Sequence, residues 1–521
     1  MTLIPSVWYK TDQSNRFLTH VWCQTDRSKR DGRRWALIHS EAAPIDRELL
    51  GPSLADFRES YTLPGVAYTS PELFAWEMRH FFDDSWTCLG RVEGLIAPGM
   101  RRAIRAGQGS ILLTRDEAGS LHGFFNICRH RGHELLPVGA SAQGALIECP
   151  YHGWTYRIDG SLKSAPHLGY RPGFQVSEHC LVPVRISEWE GWLFANVSGD
   201  SGPLHEHVGN LAAFMEAWAP RQMVEVSRMD YLVEANWKLI HENYQECYHC
   251  SEIHPELCRV SPPTSGVNLD ATGIWVGGWM DLREDAETMS LTGKGGAPIL
   301  VGLSEQDRRR VYYLALFPNL LISPHPDYVL THRLEPISPT RTRVECRTLF
   351  ERGVAARPDF DGRYASEFWD VTNRQDWAAV ESIQRSAASP GFRPGPISEM
   401  EDAVYLFFNM VATSYVEGRL VRPKRGYAAE VLRSDLLSVG VYTLPVRGVD
   451  GQTPHDEDEV YYAVRGRAMF FVAGREHAVR PGTLLFVPAR AEHRFHDIEE
   501  ELILIVFWAP PEGTGAATRD E

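Results

Sequence analysis

Asn126-Ile127-Cys128-Arg129-His130-Arg131-Gly132 is followed, after a gap of 18 residues from His130, by Cys149-Pro150-Tyr151-His152-Gly153-Trp154. Each half supplies one thiolate and one imidazole. Two such loops can hold one zinc ion tetrahedrally. They can equally hold a two-iron, two-sulfide cluster in which the cysteines bind one iron and the histidines the other. Spacing alone does not choose between the two. The glycines and the proline suit loops that wrap a cluster and aim backbone N–H groups at sulfur.

Outward from these loops, residues 85–195 read as short strands and turns, among them GSILLT, LHGFFNIC, ALIECP, WTYRIDGSL and WLFANV. Asp159-Gly160 between two strand-like runs is a hairpin signal. Before them, Leu73, Phe74, Met78, Phe81 and Phe82 recur at helical spacing.

A second constellation lies in NYQECYHCSEIHPEL, which holds Glu246, His249 and His254. Two histidines and a remote carboxylate make a facial triad for Fe(II) that leaves positions open for O2 and substrate. A five-residue step does not stack on one face of an ideal helix. Pro255 follows, however, and a residue before proline is pushed out of helical geometry, so His254 can swing in from a helix end. The pattern predicts a helical stretch holding Glu246 and His249. The best remote carboxylate is Asp376, on the face Thr372, Asp376, Val380, Ile383, Ala387 of a long helix expected near 363–388. A carboxylate on a buried face needs a partner charge or a metal; the bland alternative is a cap or surface Asp. Glu381 and Gln384 stand at supporting positions, and LTGKGGAPILVG reads as a mobile loop.

The two cysteine–histidine loops closely resemble those of the Rieske domain. Asn236-Trp237-Lys238 through His254, and VTNRQDWAAVESIQRS followed by PGPIS and Glu401, resemble the catalytic domain of Rieske non-haem iron oxygenases. The resemblance covers roughly residues 60 to 415. It implies a [2Fe-2S] cluster on Cys128, His130, Cys149 and His152, and a mononuclear Fe(II) on His249, His254 and Asp376. It also implies an α+β chain: an N-terminal extension at 1–60, an all-β Rieske domain at 61–199, and a helix-grip, START-like catalytic domain at 200–425. Further implications are a homotrimer and electrons from NAD(P)H through a separate flavin/iron–sulfur reductase. Most ring-hydroxylating members have Asp where this chain has Glu246. With Cys247-Tyr248-His249-Cys250, Glu246 instead resembles the branch that oxidises glycine betaine, choline and carnitine. There it would link the cluster of one subunit to the iron of the next; the alternative is a purely local partner of His249.

Past a basic stretch at Arg422-Pro423-Lys424-Arg425-Gly426, residues 432–511 form a second all-β unit that resembles a cupin barrel. Its two motifs carry His455, Glu459 and His493, with Thr453 and Arg490 where the family pattern has His and Gly. The remaining three donors are enough for a divalent metal; a dimerising or ligand-sensing module without metal is the other reading.

Composition narrows the classes. The formal charge of −15 with no long basic stripe argues against nucleic acid. Nine cysteines, an odd and sparse set, do not read as a disulfide framework. No run is long and apolar enough to span a membrane, and MTLIPSVWYK lacks the features of a secretory signal, so a cytoplasmic protein is expected. No strand-linked GxGxxG appears, which fits a separate reductase. The expected activity is oxygenation of a small substrate, with N-demethylation of a quaternary or methylated amine as the leading expectation. The alternatives are aromatic-ring hydroxylation with the same metals, and a non-catalytic Rieske electron carrier with a ligand-binding cupin. A cationic substrate suits aromatic walls, for which Trp275, Trp279, Tyr312, Tyr313 and Phe317 are candidates.

Overall fold

The computed structural model describes residues 42–269, 271–423, 428–434, 436–444, 450, 452 and 457–511. These residues divide into two compact units, one of 96–105 and 110–184, the other of 42–95, 106–109 and 185–511.

In the first unit, strands Gly109–Arg115 and Leu121–Phe125 pair antiparallel, and so do Met100–Ala106 and Ser141–Gln143. A separate three-stranded sheet, Leu146–Glu148, Thr155–Arg157 and Leu162–Ser164, carries the second cysteine–histidine loop. The Asp159-Gly160 hairpin joins its last two strands, as its sequence predicts. Leu112, Phe124, Leu135, Ile147, Trp154, Tyr156 and Leu162 form the core beneath the loops.

The second unit is built on a seven-stranded antiparallel sheet. Its order is 223–233, 341–351, 329–338, 320–324, 310–316, 275–281 and 267–268. Five helices matter for the site: α1 (Trp237–Tyr244), α2 (Cys250–Ile253), α3 (Pro255–Val260), α4 (Arg363–Ala387) and α5 (Asp402–Glu417). Asn236 starts α1: its side chain accepts the Lys238 N–H at 3.0 Å and donates to the Pro339 carbonyl at 2.7 Å. α4 buries Phe368, Trp369, Thr372, Asn373, Val380 and Gln384 along one stripe and packs on strand 223–233 and on α1. The core holds a fully buried ion pair, Lys238 Nζ to Glu77 at 2.6 Å, and Trp237 and Tyr415 also donate to the Glu77 carboxylate.

Two expectations need correction. Glu246 and His249 are not on a helix, because α1 ends at Tyr244. The Glu246 carboxylate accepts the N–H groups of Tyr248 and His249, and a side chain that takes those donors holds the backbone in a turn. Cys247 and Cys250, expected unpaired, are bridged, with Cα atoms 4.9 Å apart. The segment 291–302 is a loop, as its sequence reads, in which Lys294 Nζ donates to the Asp285 carbonyl and pairs with Glu287, and Leu300 N–H donates to the Pro326 carbonyl.

Strands Ala428–Arg433, Ser438–Leu444, Asp458–Val472, Arg475–Val479, Leu484–Val487 and His493–Ala509 form a six-stranded antiparallel sheet in which Leu502, Leu504, Val506 and Trp508 alternate inward. Among the described residues no helix is long and apolar enough to cross a membrane.

Candidate functional site

The two cysteine–histidine loops are built alike. Cys128 N–H donates to the His133 carbonyl and Gly132 N–H to the Cys128 carbonyl; Cys149 N–H donates to the Trp154 carbonyl and Gly153 N–H to the Cys149 carbonyl. Gly132 and Gly153 close the loops at φ 75° and 68°, where a side chain would be strained. Cys128 and Cys149 are buried, while His130 and His152 stand exposed at the tips with ring centroids 4.6 Å apart. The His130 ring stacks on Trp154 at 5.0 Å. Arg129 N–H donates to Tyr156 Oη at 2.9 Å, which turns the phenol proton toward Cys128 Sγ at 3.3 Å. His133, outside the pattern, is exposed and bonds the Glu134 carbonyl.

In the second unit His249, His254 and Asp376 converge. His254 Nε2 lies 2.9 Å and His249 Nε2 3.4 Å from Asp376 Oδ1, and the two imidazole nitrogens are 3.2 Å apart. Three donors on one face of an octahedron, each about 2.1 Å from a metal, stand about 3 Å from one another, so this spacing fits one small divalent cation. Sequence local to the site explains the convergence. His254 leaves helical geometry at φ −119°, ψ 65°, and Pro255 opens α3, so the five-residue step delivers both rings to one point. The far nitrogens are fixed as well. Glu246 Oε1 accepts from His249 Nδ1 at 2.5 Å, and Gln375 Oε1 accepts from His254 Nδ1 at 2.7 Å. Both Nε2 lone pairs are thereby directed inward.

Electrostatics point the same way. Burial alone would pull the His249 imidazole down, but its bonds to Asp376 and Glu246 push it up to about 10. Burial would raise Asp376, yet the two histidines hold it below the usual carboxylate range. The cluster calls for positive charge, which a divalent cation supplies.

Gln375 was missed by the sequence reading, although it directly precedes Asp376; on a helix the neighbour of a ligand usually points elsewhere. Glu381 and Gln384 do not support the triad. Glu381 accepts the Glu234 N–H at 3.1 Å, and Gln384 bonds Asn236 N–H at 2.8 Å, bracing the start of α1 instead.

The triad opens on a cavity of about 490 Å³. Of the aromatic candidates, Trp279 and Tyr313 line it, joined by Tyr244, Trp369 and Trp377, while Trp275, Tyr312 and Phe317 belong to the core. Tyr313 Oη, His332 Nδ1 and Trp377 Nε1 are withdrawn from solvent without a hydrogen-bond partner among the described residues.

In the C-terminal unit, Glu459 and His493 meet at 3.2 Å, both buried. Tyr461 and Trp508 donate to the Glu459 carboxylate, and His493 Nε2 lies 2.9 Å from Gln452 Oε1. His455 lies outside the described residues. His477 is exposed, and the half-buried His496 pairs with Glu476 at 2.7 Å.

Residues 85–175 match the Rieske [2Fe-2S] domain, 217–417 the ring hydroxylating alpha subunit (catalytic domain), and 440–510 the cupin domain. The chain is 29% identical over 386 residues to the glycine betaine monooxygenase oxygenase subunit of Chromohalobacter salexigens, covering 68% of this chain and 85% of that one. A solved quaternary ammonium Rieske monooxygenase, described in terms of carnitine oxidation and inter-subunit electron transfer, superposes with TM-score 0.59 at 22% identity. That match covers 72% of this chain and 100% of the other. Naphthalene 1,2-dioxygenase from Rhodococcus sp. superposes with TM-score 0.57 at 19% identity, over 71% and 98% of the two chains. The chain thus joins a Rieske domain, a ring-hydroxylating alpha-subunit catalytic domain and a cupin, and it belongs to the Rieske non-haem iron oxygenases, a family of oxidoreductases.

Proposed function

We propose that this protein hydroxylates an N-methyl group of a methylated amine, using O2 and electrons from a separate flavin/iron–sulfur reductase that draws on NAD(P)H. The observation that carries the reading is the convergence of His249, His254 and Asp376 in the wall of an aromatic-lined cavity. The named activities of the Chromohalobacter protein and of the solved quaternary ammonium oxygenase support an amine as substrate.

In this reading His249, His254 and Asp376 hold a ferrous ion, and Cys128, His130, Cys149 and His152 hold the [2Fe-2S] cluster. When bound, the cluster supplies single electrons and the iron activates O2. The protein's part is placement. Glu246 and Gln375 fix the imidazole tautomers, and the aromatic walls seat the substrate with one methyl toward the triad and exclude bulk water. The reaction balances for a quaternary N-methylammonium: with O2, two electrons and two protons it gives the N-hydroxymethylammonium and one water. The carbinol O–H proton then passes to nitrogen as the C–N bond breaks, releasing formaldehyde and the protonated tertiary amine.

Within the chain Glu246 bonds His249. In a homotrimer, which we include in the proposal, the same carboxylate accepts a hydrogen bond from His152 of the partner subunit and links the two metal sites. For the cupin we propose a further divalent metal on Glu459 and His493, with His455 as third donor.

Purified protein should contain about three irons and two sulfides per chain. A fourth metal equivalent lost in His493→Ala would place it in the cupin. Formaldehyde released with O2 consumption on an N-methyl amine supports the reading. Hydroxylated arenes without formaldehyde would favour ring oxygenation, for which the flat aromatic walls also have room, and two irons per chain would favour an electron carrier.

A further inference from the structure

The charges lining the cavity say more about the substrate than its amine. Among the described residues four carboxylates line it: Glu246, Asp376, Glu399 and Asp402; no Lys or Arg does. A ferrous ion on the triad offsets two of those four charges and leaves the wall net negative. The remaining wall mixes aliphatic side chains and the amides Asn243, Gln245, Asn268 and Asn373 with aromatic rings, five of which form an arc. Ring centroids of Tyr244 and Tyr313 are 5.8 Å apart, Tyr313 and Trp369 6.3 Å, Tyr244 and His332 6.1 Å, and His332 and Trp377 6.5 Å.

This lining accepts a cation and rejects an anion for separate reasons. Aromatic faces and carboxylates both attract an alkylammonium group, all the more once water is displaced. A carboxylate on the same molecule would lose its hydration and find no counter-charge. Neutral donors do not replace one: Gln245 Nε2, Tyr313 Oη and Trp377 Nε1 are the unpartnered donors of the lining among the described residues, and each hydrogen bond offsets only a fraction of that loss. His332 offers a lone pair. Its Nε2 donates to Asn373 Oδ1 at 3.0 Å, leaving Nδ1 as an acceptor without a partner among the described residues. A carboxylate has no proton to give that acceptor.

Size adds a second constraint. A volume of about 490 Å³ falls within the roughly 300–1,000 Å³ of sites that bury ligands of drug size. A betaine of a few heavy atoms leaves most of such a volume to water.

We infer that the physiological substrate is a monocationic N-methyl amine without a carboxylate, carrying a bulky, largely apolar or aromatic remainder. The inference rests on the amine reading proposed above and specifies which amines. It sets this chain apart from an enzyme for the zwitterions glycine betaine and carnitine.

A matched pair of probes tests it: benzyltrimethylammonium and its 4-carboxy derivative, which differ by one carboxylate. Binding to the iron-loaded full-length protein is measured by calorimetry at low ionic strength, and formaldehyde by single turnover of dithionite-reduced enzyme with O2. The cation should bind at least ten-fold more tightly than the zwitterion. The gap should shrink several-fold in Glu399→Gln, an exposed position whose substitution leaves the triad in place. Equal or tighter binding of the carboxylated probe overturns the charge assignment. Tighter binding or faster turnover of glycine betaine than of benzyltrimethylammonium overturns the size assignment. Either result leaves N-demethylation standing if formaldehyde appears. Conversely, preferential binding of the cation with no formaldehyde from either probe supports the cavity assignment and removes the demethylation reading.

Discussion

Gln375 Oε1 sits 2.7 Å from His254 Nδ1, while Gln375 Nε2 donates to Glu256 at 3.1 Å, so one amide on α4 fixes the ring that the break before Pro255 has delivered. Its loss leaves His254 in place but free to turn. Gln375→Leu should lower iron affinity about 10- to 100-fold, the usual effect of removing such an outer partner. Competition with a chromogenic chelator measures it. Gln375→Glu keeps the acceptor and should retain most of the metal; equal loss in both variants would mean the amide matters only for packing.

Asp376→Ala removes the one carboxylate of the triad. Turnover should fall by more than about 100-fold, since outer partners alone are worth about 10- to 100-fold, while the visible spectrum assigned to the Rieske cluster is unchanged. Full activity in this variant would break the proposed triad.

Tyr156 directs its hydroxyl proton at Cys128 Sγ. A hydrogen bond to a thiolate favours the more negative, reduced cluster. Removing one worth about 0.5–1.5 kcal/mol converts, at about 59 mV per tenfold for one electron, to about 20–60 mV. Tyr156→Phe should therefore lower the reduction potential by that amount in a titration followed by electron paramagnetic resonance. An unchanged potential would show that the phenol serves only Arg129.

Withdrawal from water lifts the Glu242 carboxyl to about 8, against the Tyr68 hydroxyl and the Lys238 charge, which pull it down. The folded protein therefore holds a proton that the unfolded chain releases near pH 4.5. Its contribution to stability is complete below that value and is lost as pH rises through about 8. The thermal midpoint should fall between pH 5 and pH 9 by an amount that is absent in Glu242→Gln, and parallel midpoint curves for the two proteins would refute the assignment.

Glu77 and Lys238 are both fully buried, so truncating one strands the other. Glu77→Leu should cost about 3–5 kcal/mol, read as a lower urea midpoint. The pair Glu77→Leu with Lys238→Met should recover only part of it, because apolar side chains then replace both charges but Trp237 and Tyr415 still lose their acceptor.

Much of this molecule was legible because metal sites impose short, local rules. The cysteine–histidine loops, the hairpin at Asp159-Gly160 and most of the α4 stripe (Thr372, Asp376, Val380 and Ala387) follow from spacing and periodicity, while Ile383, expected on that stripe, is exposed. The swing of His254 followed from Pro255. What stayed hidden depends on contacts made after folding. The turn at Glu246–His249 forms because a carboxylate accepts two backbone donors, which competes with the helix that the pattern suggested. α5 is apolar on nearly every face, so no stripe announces it. Alternation along one strand divides Tyr313, which lines the cavity, from Tyr312, which does not, but it does not divide Trp279 from Trp275, which share a face of their strand and differ only in how far along it they stand.

The loops at His130 and His152 have one more implication. Their cysteines lie under the protein and their imidazoles at the outer surface, so the cluster they are proposed to hold has a single doorway. Under the proposed electron transfer, reducing equivalents arriving from a donor protein and leaving for a catalytic iron would both cross those two rings. Loading and discharge would then be alternate occupations of one small platform, and a donor that lingered there would throttle the enzyme it feeds.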